Sequence, residues 1–212
     1  MRHEAKRFAA AIILMWPLWA GAAAYEDMLQ AIEIDDERGV ATLLKRGVDV
    51  NTATKNGESL LILAARSGKP AIVRTLLAAR PNLNARNAQG ETALMHAAIK
   101  GRGDIVKLLL DAGAEVNHAG WTPLMYAAAT NQLEVARTLL ARGAQVNAVA
   151  ENGTTPLMMA SREGHLPMVL LMLEHGADVN YTSAYGYNAL GVALERGRLE
   201  IADVLARAGA RR

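Results

Sequence analysis

Gly120-Trp121-Thr122-Pro123-Leu124-Met125-Tyr126-Ala127-Ala128 returns, altered, 33 residues later as Gly153-Thr154-Thr155-Pro156-Leu157-Met158-Met159-Ala160-Ser161. The opening glycine also recurs at Gly57, Gly90 and Gly186, so the successive gaps are 33, 30, 33 and 33 residues. Each copy runs on to a second phrase, Gly-Ala-x-Val-Asn, at Gly113 to Asn117, Gly143 to Asn147 and Gly176 to Asn180. Units of this fixed length cannot bury an apolar face alone and must stack on their neighbours. Within a unit the signals are helical. Pro123 and Pro156 stand where a first turn tolerates proline, with Thr122 and Thr155 before them as N-caps. The small pairs Ala64-Ala65, Ala97-Ala98 and Ala127-Ala128 let a second helix pack closely. A break follows at Gly68, Gly101, Gly164 and Gly197. Asn131 is the exception, and asparagine also tolerates left-handed backbone. The next apolar run, such as Ile105, Val106, Leu108, Leu109 and Leu110, has helical rather than alternating spacing. Gly113, Gly143, Gly176 and Gly209 close these runs.

In period and wording the unit resembles the ankyrin repeat, a turn followed by two short antiparallel helices and a projecting loop. The resemblance extends from Tyr25 to the C-terminus. It implies an all-α solenoid of about six helix-turn-helix repeats with projecting loops, in one domain at 25–212. The repeats fall at 25–56, 57–89, 90–119, 120–152, 153–185 and 186–212. The departures are informative. The first unit lacks the Thr-Pro-Leu wording and carries Glu26, Asp27, Glu33, Asp35, Asp36 and Glu37, the polar outer face that a terminal repeat needs. The last unit stops after its second helix, with Arg207, Arg211 and Arg212 suited to a helix C-terminus. Leu60 replaces the proline in the second unit, which costs little if Ser59 still caps. Asn117-His118-Ala119-Gly120 is three residues short, so the loop between the third and fourth units is expected to be clipped. Arg80-Pro81 replaces Gly-Ala, which predicts a less regular helix end.

Ahead of the repeats, Arg2, Lys6 and Arg7 precede an apolar run from Phe8 to Ala20 and the small residues Ala22-Ala23-Ala24. This pattern reads as a signal peptide over 1–24, cut near Ala24. The alternative is an uncleaved anchor, against which stand Pro17 and a stretch short for a bilayer span. Without cysteine there is no lipoprotein anchor, disulfide, thiol chemistry or Cys-based zinc site. The chain has 23 Lys and Arg against 21 Asp and Glu, and without Arg2, Lys6, Arg7 and Glu4 the balance is even. A neutral body lacks the clustered cations that nucleic acid demands. The expectation is a periplasmic or secreted protein, without membrane insertion after cleavage, monomeric, and similar to exported bacterial ankyrin proteins.

No chemistry emerges from the motifs. There is no Gly-x-Ser-x-Gly elbow and no phosphate-binding loop, so no catalytic residue and no cofactor is expected. His96, His118, His165 and His175 form no zinc-ligand spacing. Structural roles are expected for all four, with a local bond for His165 and the least constraint on His118. Met95, Met125 and Met158 share one slot, which reads as core filling rather than a soft-metal array.

Binding is the remaining function, and the resemblance implies that loop tips and exposed edges of the first helices carry it. The candidate partner-binding residues are Lys55, Glu58, Arg66, Arg86, Glu91, Lys100, Trp121, Glu151, Arg162, Tyr185, Tyr187 and Arg196. Aromatics and arginine dominate interface hot spots, and in a chain with few aromatics Trp121, Tyr185 and Tyr187 fall on loop slots. Trp121 has two open readings: a partner anchor, or a cover for the clipped loop. The tyrosines either bind or pack locally. The expected function is a protein-interaction module, an adaptor, protection factor or inhibitor for another exported protein. A structural or host-directed secreted protein is the alternative, and a hydrolase or metal-binding protein the least favoured.

Overall fold

The computed structural model describes residues 23–211. All of the expected leader except Ala23 and Ala24 lies outside the described residues, as does Arg212. Twelve helices form six antiparallel pairs among the described residues. The first helix of each pair is α1 (residues 23–33), α3 (Leu60–Ser67), α5 (Ala93–Ile99), α7 (Pro123–Ala129), α9 (Pro156–Glu163) and α11 (Ala189–Glu195). The second is α2 (Glu37–Lys45), α4 (Pro70–Ala78), α6 (Gly103–Asp111), α8 (Leu133–Ala141), α10 (Leu166–Glu174) and α12 (Leu199–Arg207).

The first helices start as the sequence dictates. In Ser59, Thr92, Thr122, Thr155 and Asn188 the side-chain oxygen accepts a hydrogen bond from the backbone N–H three residues on. Such a cap contributes about 1 kcal/mol. Ser59 does this ahead of Leu60, so the missing proline costs no cap. The alanine pairs are fully buried. They draw the first helices into an inner row more tightly packed than the outer row of second helices, so the stack curves towards its inner side. One apolar core runs through the stack from Met28 to Leu205. Met95, Met125 and Met158 belong to the buried interior, as their shared slot predicts.

Helix ends follow one motif with one exception. After α6, Gly113 takes φ +96° and the Ala114 N–H donates to the Leu109 carbonyl at 3.0 Å. After α4 the same left-handed step falls on Arg80, at φ +54°. The expected irregularity is narrower than the sequence suggests: the path is kept, but Pro81 has no N–H to close the motif.

Two periodic contacts join the repeats. The asparagine ending each unit accepts from the backbone of the next. Asn51, Asn84, Asn117, Asn147 and Asn180 take the N–H groups of Asn82, Glu115, Gln145, Asp178 and Arg211 at 2.7–3.0 Å. The amides of Asn117, Asn147 and Asn180 also donate to the carbonyls of Gly143, Gly176 and Gly209. The second contact comes from the residue after each helical break. Lys69 pairs with Asp35 at 3.5 Å, His165 Nε2 lies 3.2 Å from the Ala129 carbonyl, and Arg198 Nε donates to the Arg162 carbonyl at 3.4 Å. His165 therefore bonds across to the preceding repeat, not locally. The Arg102 guanidinium lies against Gly68, where a Cβ would come within 2.7 Å of it, and the break takes φ +70°, which favours glycine.

Candidate functional site

The inner wall is built from matching slots. The first residue after each opening glycine is Glu58, Glu91, Trp121, Thr154 or Tyr187, and it sits at the base of a projecting loop. Five residues further on, the first helix presents Leu63, His96, Tyr126, Met159 or Val192. Four of the loops are closed by a backbone pair of hairpin type: Thr54 N–H to Glu58 O, Asn87 to Glu91, Ala150 to Thr154 and Ser183 to Tyr187, at 2.8–3.0 Å. Among the described residues the clipped loop from Asn117 to Trp121 has no such bond and runs as a bend.

Side-chain contacts brace the wall within the second repeat and tie the third to the fourth. Glu58 forms an ion pair with Arg66. Glu91 is a hub. One carboxylate oxygen accepts the Tyr126 hydroxyl at 3.0 Å, and the other lies 3.1 Å from His96 Nε2 and 3.2 Å from the Asn87 amide nitrogen. Burial lowers the His96 pKa, and although Glu91 pulls it upward the net shift is down. His96 is therefore a neutral imidazole donating Nε2–H to Glu91, not half of an ion pair. Burial, then the Glu91 charge, pushes the Tyr126 phenol up to about 12. It stays a donor at every physiological pH.

Trp121 is half-buried. Its ring lies over Met125, Ala148 and Ala150, with the Tyr126 ring 5.4 Å away at a 36° tilt. The indole thus covers the place where the loop is short. Beside it, His118 corrects an expectation. Its side chain is only 3 % exposed, Nδ1 lies 3.5 Å from a Glu115 carboxylate oxygen, and Nε2 is buried without a hydrogen-bond partner. Burial first, then Arg86, lowers its pKa, against the pull of Glu115. His118 is thus among the more confined side chains, because the shortened loop folds it inward.

The remaining candidates fall into three settings. Lys55, Arg86 and Lys100 are exposed and have no ion-pair partner among the described residues, and Glu151 is exposed near the Gly120 turn. Glu58, Arg66 and Glu91 are committed to each other's repeats or helices, as described above. Arg162, Tyr185, Tyr187 and Arg196 come together around one cleft between α9 and α11. Both tyrosines project into solvent, Tyr185 at 71 % and Tyr187 at 54 % exposure. No group of three or more His, Asp or Glu among the described residues is placed to hold a metal ion. No helix among them is long and apolar enough to cross a membrane.

The sequence signalled the asparagine ladder only as a recurring letter, since its partners are backbone groups about 30 residues away. Tyr126 carried no signal, because its hydroxyl partner Glu91 lies in the preceding repeat.

A family model for ankyrin repeats matches this chain in three copies, over residues 28–119, 81–150 and 143–211. A search of curated proteins finds no match.

Proposed function

The chain belongs to the ankyrin repeat family, and on that premise we propose that its inner wall docks another exported protein. Ankyrin repeats are protein-interaction modules, typically without catalysis. The reading assigns this one to work outside the cytoplasm after cleavage near Ala24, as an adaptor, protection factor or inhibitor. The carrying observation is the wall itself. Loop bases and first helices from successive repeats present one face on which the Tyr185, Tyr187, Arg196, Lys100 and Arg86 side chains are exposed. Exposed aromatics and arginines of this kind supply most of the binding energy in protein interfaces. The carboxylate, imidazole and phenol that do meet on the wall, Glu91, His96 and Tyr126, are bonded to one another, and the proposal gives them a structural role.

Capture from producing cells tests it. The tagged full chain should retain one dominant protein, and its own N-terminus should read Tyr25. Replacing Arg86 and Tyr187 together by alanine should release that protein, whereas Leu170→Ala on α10 should not. Retention unaffected by the inner-wall change would refute the docking face. A recovered chain still starting at Met1 inside the cell would refute the location.

A further inference from the structure

Between α9 and α11, beneath the last projecting loop, the wall opens into a cleft of about 380 Å³. Met158, Met159 and Val192 line it together with Tyr185, Tyr187, Arg162, Glu195 and Arg196. Between α5 and α7 a side-chain pair crosses the junction, Glu91 reaching Tyr126, and within the fourth repeat Trp121 packs on Met125. At the junction of α9 and α11 the slot of Glu91 holds the short Thr154, and the facing slot of the next repeat, that of Tyr126, holds Val192. We propose that the cleft seats one large apolar or aromatic side chain from an extended segment of the partner, with carboxylates flanking that side chain. This rests on the inner wall being the docking face and specifies what it takes.

Three observations support the assignment. The first is size. The cleft lies near the low end of the range for ligand pockets, about 300–1,000 Å³. That suits one or two side chains. The second is surface. Methionine is unbranched and polarisable and fits itself to planar or aliphatic shapes. Two exposed tyrosine rings can close over an inserted group with little loss of rotamer freedom. The third is charge. Arg162 turns its Nε to Glu163 at 2.9 Å, but Arg196 has no ion-pair partner among the described residues, and neither have Lys100, Arg86 and Lys55 further along. Glu58 and Glu91 are spent on Arg66, His96 and Tyr126, which leaves Glu151 and Glu195 as the free acids. The free charge along the wall is therefore positive, and it complements an acidic segment. The cleft opens onto this wall, so its occupant can continue across the neighbouring repeats, as a peptide does and a small free acid does not.

Selection of a displayed random-peptide library on the full chain tests the proposal. Enriched sequences should carry a tryptophan, phenylalanine or leucine flanked by aspartate or glutamate. A synthetic peptide of that sequence should lose at least about tenfold in affinity with Tyr187→Ala and again with Arg196→Ala, and should weaken as salt rises. Both variants keep the loop, because its closing bonds are Ser183 N–H to Tyr187 O and Tyr187 N–H to Ser183 Oγ. Leu170→Ala should change nothing. Enrichment of basic or wholly polar sequences would overturn the proposal, as would no enrichment at all. Equal binding of N-acetyltryptophan alone would replace the peptide by a small aromatic acid. Acidic peptides that respond to Arg86→Ala and Lys100→Ala but not to Tyr187→Ala would leave the docking wall standing and remove the cleft from it.

Discussion

Asn117 does at residue scale what holds one repeat to the next. Its carbonyl oxygen takes the Gln145 N–H and its amide donates to Gly143 O, both at 2.9 Å. Each such bond contributes about 0.5–1.5 kcal/mol net. Asn117→Ala should therefore lower stability by about 1–2 kcal/mol, read from urea unfolding. Arg80 argues in the other direction. A side chain held at φ +54° costs about 1–2 kcal/mol relative to glycine. Arg80→Gly should raise the unfolding free energy by about 1 kcal/mol, read from urea unfolding, part of the relief being returned to the more flexible unfolded chain. The two buried histidines set a pH dependence. Both are shifted below the ordinary 6.5, mainly by burial. The unfolded chain therefore binds protons at higher pH than the folded one. Stability is fully present above that value and falls as pH drops from it towards the folded pKa values. Melting curves between about pH 7.5 and about pH 5 should show this loss, and His96→Gln with His118→Gln should flatten it.

At the scale of the element, the helices were legible because their signals are local. Thr122 before Pro123, or Ser59 before Leu60, states a start without reference to any other repeat. The loops were less legible because their partners lie about one repeat away. The shortened spacing at His118 foretold a clipped loop, but not that His118 would turn inward. Nor did Trp121 reveal which surface its ring would meet, since Met125 and Ala150 reach it only once the repeats stack. The candidate site was therefore readable as a set of slots and unreadable as a set of contacts. Glu58 and Glu91 looked like free loop charges, yet they close the wall from within. For the clipped loop the expectation is specific. Trp121→Ala should cost about 1–2 kcal/mol in thermal unfolding, the price of uncovering Met125 and losing the Tyr126 ring contact. An unchanged melting curve would assign the ring to binding alone.

At the scale of the molecule, a stack has no single centre. Each helix pair leans on its neighbours. The acids from Glu26 to Glu37 are exposed on the first pair. On the last, Gly191 occupies the slot that Ile62, Met95, Met125 and Met158 fill with buried side chains. Gly191 itself is exposed, and glycine at this helical position carries a cost of about 1 kcal/mol. Such an array offers a long face, and the proposed function is docking on it. The direct measurement is photo-crosslinking in producing cells, with a benzophenone amino acid at position 187 on the inner wall or at position 170 on α10. One dominant protein adduct from position 187 and none from position 170 is the predicted result. Adducts from position 170 alone, or from neither position, would contradict it.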